Sequence, residues 1–527
     1  MSMQRDTRDV QNFNELKTIR AIFKDFCSNS SIHGVRYLTE RRRHWSERLW
    51  WIVAFSLSVY FCVSSIHSIL INWSENSVNM IMAEKNAMVS TIPFPTVTIC
   101  VKPKIHLANL NMTKEEDFWK KPFSEKRLTQ MEAVGMICDF PTKKRSNFTD
   151  DSIYDTFQEI APDLSDVVFW CTWRGANFCV FSLSTVITAE GVCFAFNALN
   201  SNEIYTEEMA PGMMIVDNNP NVTYWSPEGG YYDETNKEYY PNRIFNAMPG
   251  GALNIDFHLS NQDLEGTCPY IKSAYRIFLH MPGEVPNMSR NVIQVAPSEI
   301  AEFSIKATYT TTSEGLRSYE PSRRQCFFDS DRQLRFFKFY TQNNCIEECL
   351  ANFTKQECGC ARFFMPRERH TEICGGAKAN CYLTAREKLF GEDVVEGLED
   401  ENAKSFRKNC QCLPSCTSIT YDVVDRTQTF NQLTRTERAQ DTEVMIYFKS
   451  HDIVTLKRTE AYTVTRILAI CGGLLGLFLG VSALSVIEFF YYFTLRLFCN
   501  VHRWKLSRVM PFKRKFVREV SNNTLSV

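Results

Sequence analysis

The chain has 527 residues, and its 59 Lys and Arg residues nearly balance 60 Asp and Glu residues, which leaves a formal net charge of −1. A chain of this length is too long for one ordinary hydrophobic core. The balanced charge, without a basic stripe interleaved with aromatic residues across the middle of the chain, gives no reason to expect a nucleic-acid partner.

The N-terminal part of the chain is polar and basic up to residue 48 and contains the short motif Ser31-Ile32-His33-Gly34. The run that follows, residues 49–71, contains no Asp, Glu, Lys or Arg. At about 1.5 Å per helical residue it is long enough to cross a hydrocarbon core of about 30 Å. The alternatives are a buried helix of a soluble protein and a signal peptide, but a signal peptide lies nearer the N-terminus and ends in small residues. The sequence therefore predicts a transmembrane helix over residues 49–71.

A second uncharged run covers residues 467–487, and we place a second transmembrane helix over residues 461–493. Five arginines lie between positions 36 and 48, and eight Lys and Arg residues lie between positions 496 and 518. Because cytoplasmic flanks of spans carry excess Lys and Arg, both termini are predicted to be cytoplasmic. Residues 72–460 are then extracellular, and residues 494–527 form a basic cytoplasmic tail.

The cysteines support the same topology, because sixteen of the twenty lie between the two runs. An even number of cysteines suits an oxidising compartment and a disulfide framework. The remaining cysteines, at positions 27, 62, 471 and 499, are expected to be free thiols. The loop also holds five N-x-S/T glycosylation sequons, at Asn111, Asn147, Asn221, Asn287 and Asn352.

The predicted extracellular region begins with a Pro-punctuated, β-branched stretch, residues 92–100, which predicts a strand. Residues 192–196 and 303–309 predict further strands, so a β-sheet body is expected. Residues 326–416 contain ten cysteines, a density that indicates a separate disulfide-stapled subdomain. The expected fold class is a membrane protein with two transmembrane helices and a large α+β, disulfide-rich ectodomain.

A helix is predicted inside the cysteine-dense subdomain, with Asn344 as its N-cap and Glu347 completing a capping box. Cys345 and Cys349 are four residues apart and share one helical face, about 6 Å from each other. Residues 410–412 carry two cysteines on one face of an extended stretch, about 6.6 Å apart. A helix carrying two cysteines can therefore be joined to a strand carrying two by parallel bridges.

The spacing of Cys358 and Cys360, like that of Cys410 and Cys412, superficially suggests a zinc site. Zinc ligands are usually separated by two to four residues, however, and extracellular thiols oxidise. Structural disulfides, and no metal site, are therefore expected.

The second apolar run contains Gly472, Gly473, Gly476 and the tripeptide Gly480-Val481-Ser482. A glycine inside a helix costs about 1 kcal/mol relative to alanine, so this pattern needs a reason. One reading is close helix–helix packing in the membrane. The other is a pore, in which backbone carbonyls and the serine hydroxyl face passing ions. Glu488, just beyond the uncharged run, would face lipid, headgroups or a pore mouth.

Five stretches together resemble one known family, the epithelial sodium channel/degenerin/acid-sensing channel family. Gly480-Val481-Ser482 resembles its Gly-x-Ser selectivity filter, and His33-Gly34 resembles its cytoplasmic gating dipeptide. Residues 94–100 resemble the signature after the first span, residues 191–197 resemble a palm strand, and the cysteine-dense subdomain resembles the thumb. The match is most like the insect pickpocket branch.

The resemblance implies a homotrimer or heterotrimer that is sodium-selective and amiloride-sensitive. It places the pore and gate at Ala469, Ile470, Gly473, Gly476 and Glu488, with Ala469 at the degenerin position, where a bulky residue holds the pore open. Ile470 stands where acid-sensing members have Asp, which puts proton gating in doubt. The implied disulfides are Cys100–Cys193, Cys171–Cys179, Cys326–Cys416, Cys345–Cys412, Cys349–Cys410, Cys358–Cys381 and Cys360–Cys374. The two cysteines that remain, Cys138 and Cys268, are expected to pair.

The sequence therefore predicts a plasma-membrane subunit of a sodium channel gated through its extracellular domain. Its partners would be membrane lipid, sodium ions, related subunits and an unidentified extracellular ligand or mechanical tether. The alternatives are a non-conducting accessory or regulatory subunit and a doubly anchored adhesion or receptor protein. An ATP-gated receptor would need an extracellular lysine cluster, which the chain lacks. An ectoenzyme is disfavoured because no G-x-S-x-G, H-E-x-x-H or P-loop motif occurs, and no cofactor motif is present.

Overall fold

The computed structural model divides into two compact units, one made of the two ends of the chain, residues 1–78 and 460–527, and the other of residues 79–459. The structure describes residues 23–40, 44–75, 78–105, 124–139, 144–175, 177–211, 223–233, 236, 238–247, 249, 253–259, 268, 274–286, 292–390, 410–430 and 440–499.

The unit formed by the two chain ends is helical. Helix α3 leaves its apolar side chains largely uncovered, with Cys62 its one buried residue. Within the described part of the chain it is the one unbroken helix long and apolar enough to cross a membrane. The helices of this unit are α1 (23–29), α2 (Val35–Thr39), α3 (Trp45–Glu75), α11 (Val464–Leu479) and α12 (Ala483–Phe490), and a π-helical turn, Tyr491–Arg496, follows α12.

The second apolar run differs from the single helix expected over residues 461–493. It forms two helices, α11 and α12, whose axes are bent by 75° at the break between them. The break has a local cause, because Gly480 has φ +67° and ends α11 in the left-handed conformation, which glycine adopts without steric cost. By length and composition, the bent pair counts as one candidate span.

The middle unit is built on two large sheets. The strands of the larger, nine-stranded sheet are β1 (Val78–Met82), β2 (Ala87–Met88), β5 (Val168–Trp173), β6 (Asn177–Phe178), β11 (Leu253–Leu259), β14 (Glu299–Thr312), β16 (Ser418–Phe430), β17 (Gln440–Phe448) and β18 (Asp452–Glu460). Their order is β1-β18-β14-β17-β11-β5-β6, with β16 paired to β14 and β2 to β18.

The five-stranded sheet has the order β13-β12-β3-β8-β7. Its strands are β3 (Thr96–Val101), β7 (Leu183–Thr188), β8 (Gly191–Phe196), β12 (Tyr275–His280) and β13 (Val292–Val295). Two short pairs lie apart from both large sheets, β4 (Phe148–Thr149) with β15 (Ile373–Cys374) and β9 (Trp225–Ser226) with β10 (Gly230–Tyr231). The strands predicted at residues 92–100, 192–196 and 303–309 correspond to β3, β8 and β14.

One apolar core joins the two large sheets, and Phe94 is one of its fully buried members. The ring of Phe94 meets Trp173 at 4.8 Å and Phe448 at 5.6 Å between ring centroids. Both of those residues belong to the larger sheet, whereas Phe196, at 6.4 Å, belongs to the smaller one. The Phe-Pro motif before β3 therefore supplies the aromatic side chain that packs the sheets together.

The helices of the middle unit are α4 (Glu125–Cys138), α5 (Ser152–Ile160), α6 (Leu164–Val167), α7 (Ser201–Ile204), α8 (Pro321–Arg324), α9 (Gln342–Cys358) and α10 (Ala379–Phe390). Helices α9 and α10 pack together in the cysteine-dense subdomain. The predicted N-cap of α9 is wrong, because Thr341 caps the helix by accepting a hydrogen bond from the Asn344 N–H at 3.1 Å. Asn344 is instead buried in the first turn, where its side chain donates to the Gly283 carbonyl at 2.9 Å.

The sixteen cysteines of the middle unit form eight disulfides. Their pairs are those expected from the resemblance, together with Cys138–Cys268. Cys345 and Cys349 on α9 join Cys412 and Cys410, each with 5.7 Å between Cα atoms. The partner segment is not a strand as expected, because Gln411 has φ +50°. The cysteines at positions 27, 62, 471 and 499 are free.

The predicted glycosylation sites are described in part. Asn147 and Asn352 are exposed, as an acceptor asparagine must be. Asn111, Asn221 and Asn287 lie outside the described residues.

A carboxylate cluster on the larger sheet predicts a pH-dependent stability. Asp256 on β11 stands directly across from Glu443 on β17. Burial, followed by the charges of Glu443 and Asp441, raises the pKa of Asp256 to about 6. Because the folded-state pKa lies above the value of about 3.9 for unfolded Asp, the folded state binds the Asp256 proton more tightly than the unfolded state does. The contribution of this proton to folding stability is complete below about pH 4 and is lost as the pH rises through about 6.

We therefore expect Asp256→Asn to raise the free energy of unfolding at pH 7.5 by about 1 kcal/mol, a figure reduced for solvent screening because Asp256 is only half-buried. The gain should disappear at pH 4. Thermal unfolding of the purified protein in detergent at the two pH values measures it, with Glu302→Gln on β14 as the matched control. An equal gain at both pH values would exclude this electrostatic origin.

Candidate functional site: a broken apolar helix and an N-terminal loop

The predicted filter residues form the break between α11 and α12. The Gly480 N–H donates to the Gly476 carbonyl at 2.9 Å, and the Val481 N–H donates to the Leu475 carbonyl at 3.2 Å. These bonds close the end of α11. No donor among the described residues reaches the carbonyl oxygens of Gly480 or Val481. Two backbone dipoles are therefore available to a ligand at this break.

Helix α12 begins at Ser482 through a reciprocal cap. The Ser482 hydroxyl accepts a hydrogen bond from the Ser485 N–H at 3.3 Å, and the Ser485 hydroxyl accepts one from the Ser482 N–H at 3.0 Å. An N-cap serine is a strong helix start, since it satisfies an otherwise unpaired N–H. Glycine at 480 ends one helix and serine at 482 starts the next, so the tripeptide Gly480-Val481-Ser482 encodes the break locally.

The His33-Gly34 dipeptide lies against this break. The backbone N–H of His33 donates to the Leu479 carbonyl at 2.9 Å. The imidazole ring of His33 lies so close to Gly480 that a Cβ atom added there would overlap the ring. Gly34 has φ +88° and precedes α2, so it turns the chain at this point. Two motifs predicted separately are thus one site.

Ser31 adds a side-chain connection that the sequence analysis missed. Its hydroxyl is 2.7 Å from the hydroxyl of buried Ser485 and donates to the Glu488 carboxylate at 3.1 Å. Ser485 follows Ser482 by three residues, which is the spacing of a capping box. From this spacing the sequence could have identified Ser485 as a residue of the site. Glu488 therefore contacts the N-terminal loop, residues 30–34 between α1 and α2.

Aromatic and charged contacts join the rest of the described N-terminal segment to residues 492–496 and to α3. The ring of Phe26 contacts Tyr492 and Phe493, each at 5.5 Å between centroids. Asp25 forms an ion pair with Arg496 at the end of the same helical run. On α2, Tyr37 stacks on Trp51 of α3 at 4.4 Å. The sequence carried no local signal for these contacts.

The other predicted pore residues, Ala469, Ile470, Gly473 and Gly476, lie along α11. Ala469 is exposed about three helical turns before the break. Among the described residues, no atom outside the helix's own backbone lies within 4 Å of a Cβ placed on Gly473, so this face of α11 is open to the rest of the described chain.

Comparison with known proteins gives consistent matches. The family model described as "Amiloride-sensitive sodium channel" matches residues 26–492. Pickpocket protein 28 of Drosophila melanogaster is 25% identical over 504 residues, covering 90% of this chain and 78% of that protein. Sodium channel protein Nach of Drosophila melanogaster is 22% identical over 550 residues, covering 96% and 94%. Acid-sensing ion channel 2 of Rattus norvegicus is 22% identical over 507 residues, covering 89% and 85%.

Proposed function

The chain belongs to the amiloride-sensitive sodium channel family, and from this premise we propose that it is a subunit of a sodium-selective, amiloride-sensitive cation channel gated through its extracellular domain. Sodium ions cross the plasma membrane passively, driven by their concentration gradient and the membrane potential. The channel is a trimer of this chain or of this chain with related subunits.

The break at Gly480 carries the proposal. Its unpaired carbonyls and the Ser482 hydroxyl are the ligand types that replace water around a permeating cation. Irregular backbone at membrane depth is tolerated where it lines a water-filled path or protein. In a ring of subunits, residues 480–482 of each copy surround one axis and form the filter.

The membrane topology follows from α3 and the bent α11–α12 pair acting as two spans. The Lys and Arg residues before the first span and after the second favour cytoplasmic termini. All eight disulfides join cysteines of the intervening segment, which supports an extracellular location for it. A braced ectodomain transmits force well, because disulfides limit internal rearrangement.

Each remaining site residue has a role in this scheme. Ala469, Ile470, Gly473 and Gly476 line the outer pore and its gate, and Glu488 lies at the inner mouth. His33 and Gly34 support the filter from the cytoplasmic side, through the hydrogen bond to Leu479 and the ring packed on Gly480. A movement of this loop alters the filter directly.

The test is two-electrode voltage clamp of oocytes expressing this chain alone, with external sodium replaced by a large organic cation and with or without amiloride. We expect an inward current that disappears when external sodium is replaced and also when amiloride is added. Absence of current despite confirmed surface expression, alone and with a related subunit, would argue for a non-conducting role.

A further inference from the structure

The middle unit contains a tyrosine-rich stretch in acidic surroundings. Residues 228–240 contain four tyrosines, in the pairs Tyr231-Tyr232 and Tyr239-Tyr240. Residues 228–238 also contain four acidic residues and one lysine, so the stretch carries a negative charge. The sequence does not distinguish one tyrosine of this stretch from another, but the exposure of their side chains does.

Three of these tyrosines belong to the packing of the stretch. Tyr231 is buried, its hydroxyl donates to a backbone carbonyl at 2.6 Å, and the Arg243 guanidinium lies 4.2 Å from its ring centroid. Tyr240 is buried as well. Tyr239 is half-buried and stacks on Tyr224, with 4.5 Å between ring centroids. The rings of these three residues are therefore held by the surrounding structure.

Tyr232 is the exception, because it is 89% exposed. Strand β10 ends at Tyr231, and successive residues of an extended backbone point in opposite directions. Since the Tyr231 side chain lies in the apolar core, the Tyr232 side chain is turned toward solvent. The Tyr232 N–H donates to the Tyr224 carbonyl at 3.0 Å, so the backbone at this position is fixed. An ordered part of the chain thus presents a phenolic ring to solvent.

Acidic residues follow Tyr232 directly along the chain, at positions 233 and 234. The Asp233 carbonyl accepts a hydrogen bond from the Arg243 side chain at 3.3 Å, which anchors the backbone next to the tyrosine. Negative charges beside an exposed side chain steer it toward a positively charged binding cleft and orient it there. Among the four tyrosines, Tyr232 is the one that combines high exposure with acidic neighbours.

We infer that Tyr232 is a site of tyrosine O-sulfation. The eight disulfides support passage of the middle unit through the oxidising lumen of the secretory pathway, where sulfate is transferred to proteins. The inference goes beyond the proposed channel function and uses only the extracellular location of residues 79–459.

The modification is a sulfuryl transfer from a nucleotide phosphosulfate donor. The phenolic oxygen of Tyr232 attacks the donor's sulfur atom and forms a new S–O bond. The S–O bond to the donor's phosphate breaks, the nucleotide bisphosphate leaves, and the phenolic proton passes to a base of the transferase. The sulfate ester stays ionised at physiological pH, so it adds an exposed anion that basic surfaces can bind.

Metabolic labelling with radioactive sulfate tests the inference on the full chain. The chain is co-expressed with a Golgi tyrosylprotein sulfotransferase, and only protein from the cell surface is isolated, after biotinylation. Its N-linked glycans are removed enzymatically, because sulfate on glycans would also carry the label. Alkaline hydrolysis then releases the amino acids with the sulfate ester of tyrosine intact, and we expect labelled sulfotyrosine from the wild-type chain.

Three variants test the position. Tyr232→Phe lacks the hydroxyl and should abolish the label. Tyr224→Phe is the matched control and should keep it, because Tyr224 is 46% exposed but has no acidic residue within three positions. Asp233→Asn should lower the label about threefold, because it removes a charge that steers the segment to the transferase.

Absence of sulfotyrosine from the surface protein, or a label that Tyr232→Phe retains, would overturn the inference. The readout needs no current. Labelled protein without sodium current, alone and with a related subunit, would therefore overturn the proposed function alone, and a current without the label would overturn this inference alone.

Discussion

Alanine in place of Gly480 is expected to lower the sodium current per surface channel at least tenfold. Gly480 has φ +67°, a conformation that costs an L-residue with a Cβ about 1–2 kcal/mol. The added methyl would also overlap the His33 ring, so either the ring or the filter backbone must move. Since about 1.4 kcal/mol is a factor of ten, strain and displacement together suffice for this loss.

The matched control is Gly472→Ala on the same helix. A Cβ at Gly472 meets no atom within 4 Å in the part of the chain that the structure describes, beyond the helix's own backbone, and alanine improves helix propensity by about 1 kcal/mol. Current and surface biotinylation are measured for both variants in the same batch of cells. A Gly480→Ala channel with wild-type current would show that the left-handed conformation and the His33 contact are not needed.

A double-mutant cycle separates the two causes of the loss. If overlap with the ring is the main cost, His33→Ala/Gly480→Ala should conduct about as well as His33→Ala alone. If backbone strain is the main cost, the two losses should add, as they do for independent sites.

Valine in place of Ala469 is expected to produce a constitutive, amiloride-blocked sodium current about tenfold or more above wild type without a stimulus. Ala469 is exposed on α11 in the single chain. The family resemblance places it at the degenerin position, where a bulky residue holds the pore open, as it would if only the closed state packs this position tightly. Extra methyl groups in a tight contact cost about 1–3 kcal/mol. A penalty confined to the closed state shifts the gating equilibrium toward the open state by the same free energy.

Leu468→Val is the matched control, because it places the same side chain one position away, about 100° around the helix. Leu468 is also exposed in the single chain, so the two positions differ mainly in the direction they face. Leak current is recorded in the presence and absence of amiloride. A leak from Ala469→Val that equals both wild type and Leu468→Val would rule out Ala469 as a gate residue.

Several features of this structure could be predicted from single segments of sequence. The sequence predicts the helix that carries Cys345 and Cys349, whose four-residue spacing places both on one face, and the bridges from this face to Cys412 and Cys410 are present. The first apolar run forms one long helix, because its length and lack of charge are local properties. The start of α9 was predicted three residues too late, because Thr341 and Asn344 are both good N-cap residues. In the structure Thr341 is the N-cap, and Asn344 is buried in the first turn with its side chain bonded to Gly283.

The break in the second apolar run was only partly predictable. Its glycines marked the segment as unusual, but a glycine can equally serve close helix packing. Only the backbone conformation of Gly480, together with the cap at Ser482, distinguishes a bent pair of helices from one straight span.

The sequence by itself determined where the apolar runs, the cysteines and the two short motifs His33-Gly34 and Gly480-Val481-Ser482 lie, because hydropathy, spacing and turn preference are properties of neighbouring residues. Only the tertiary structure placed His33 on Gly480 and joined Ser31 to Ser485, which are 454 positions apart. These contacts depend on the packing of whole elements, and no residue's local preference specifies which distant element it will meet.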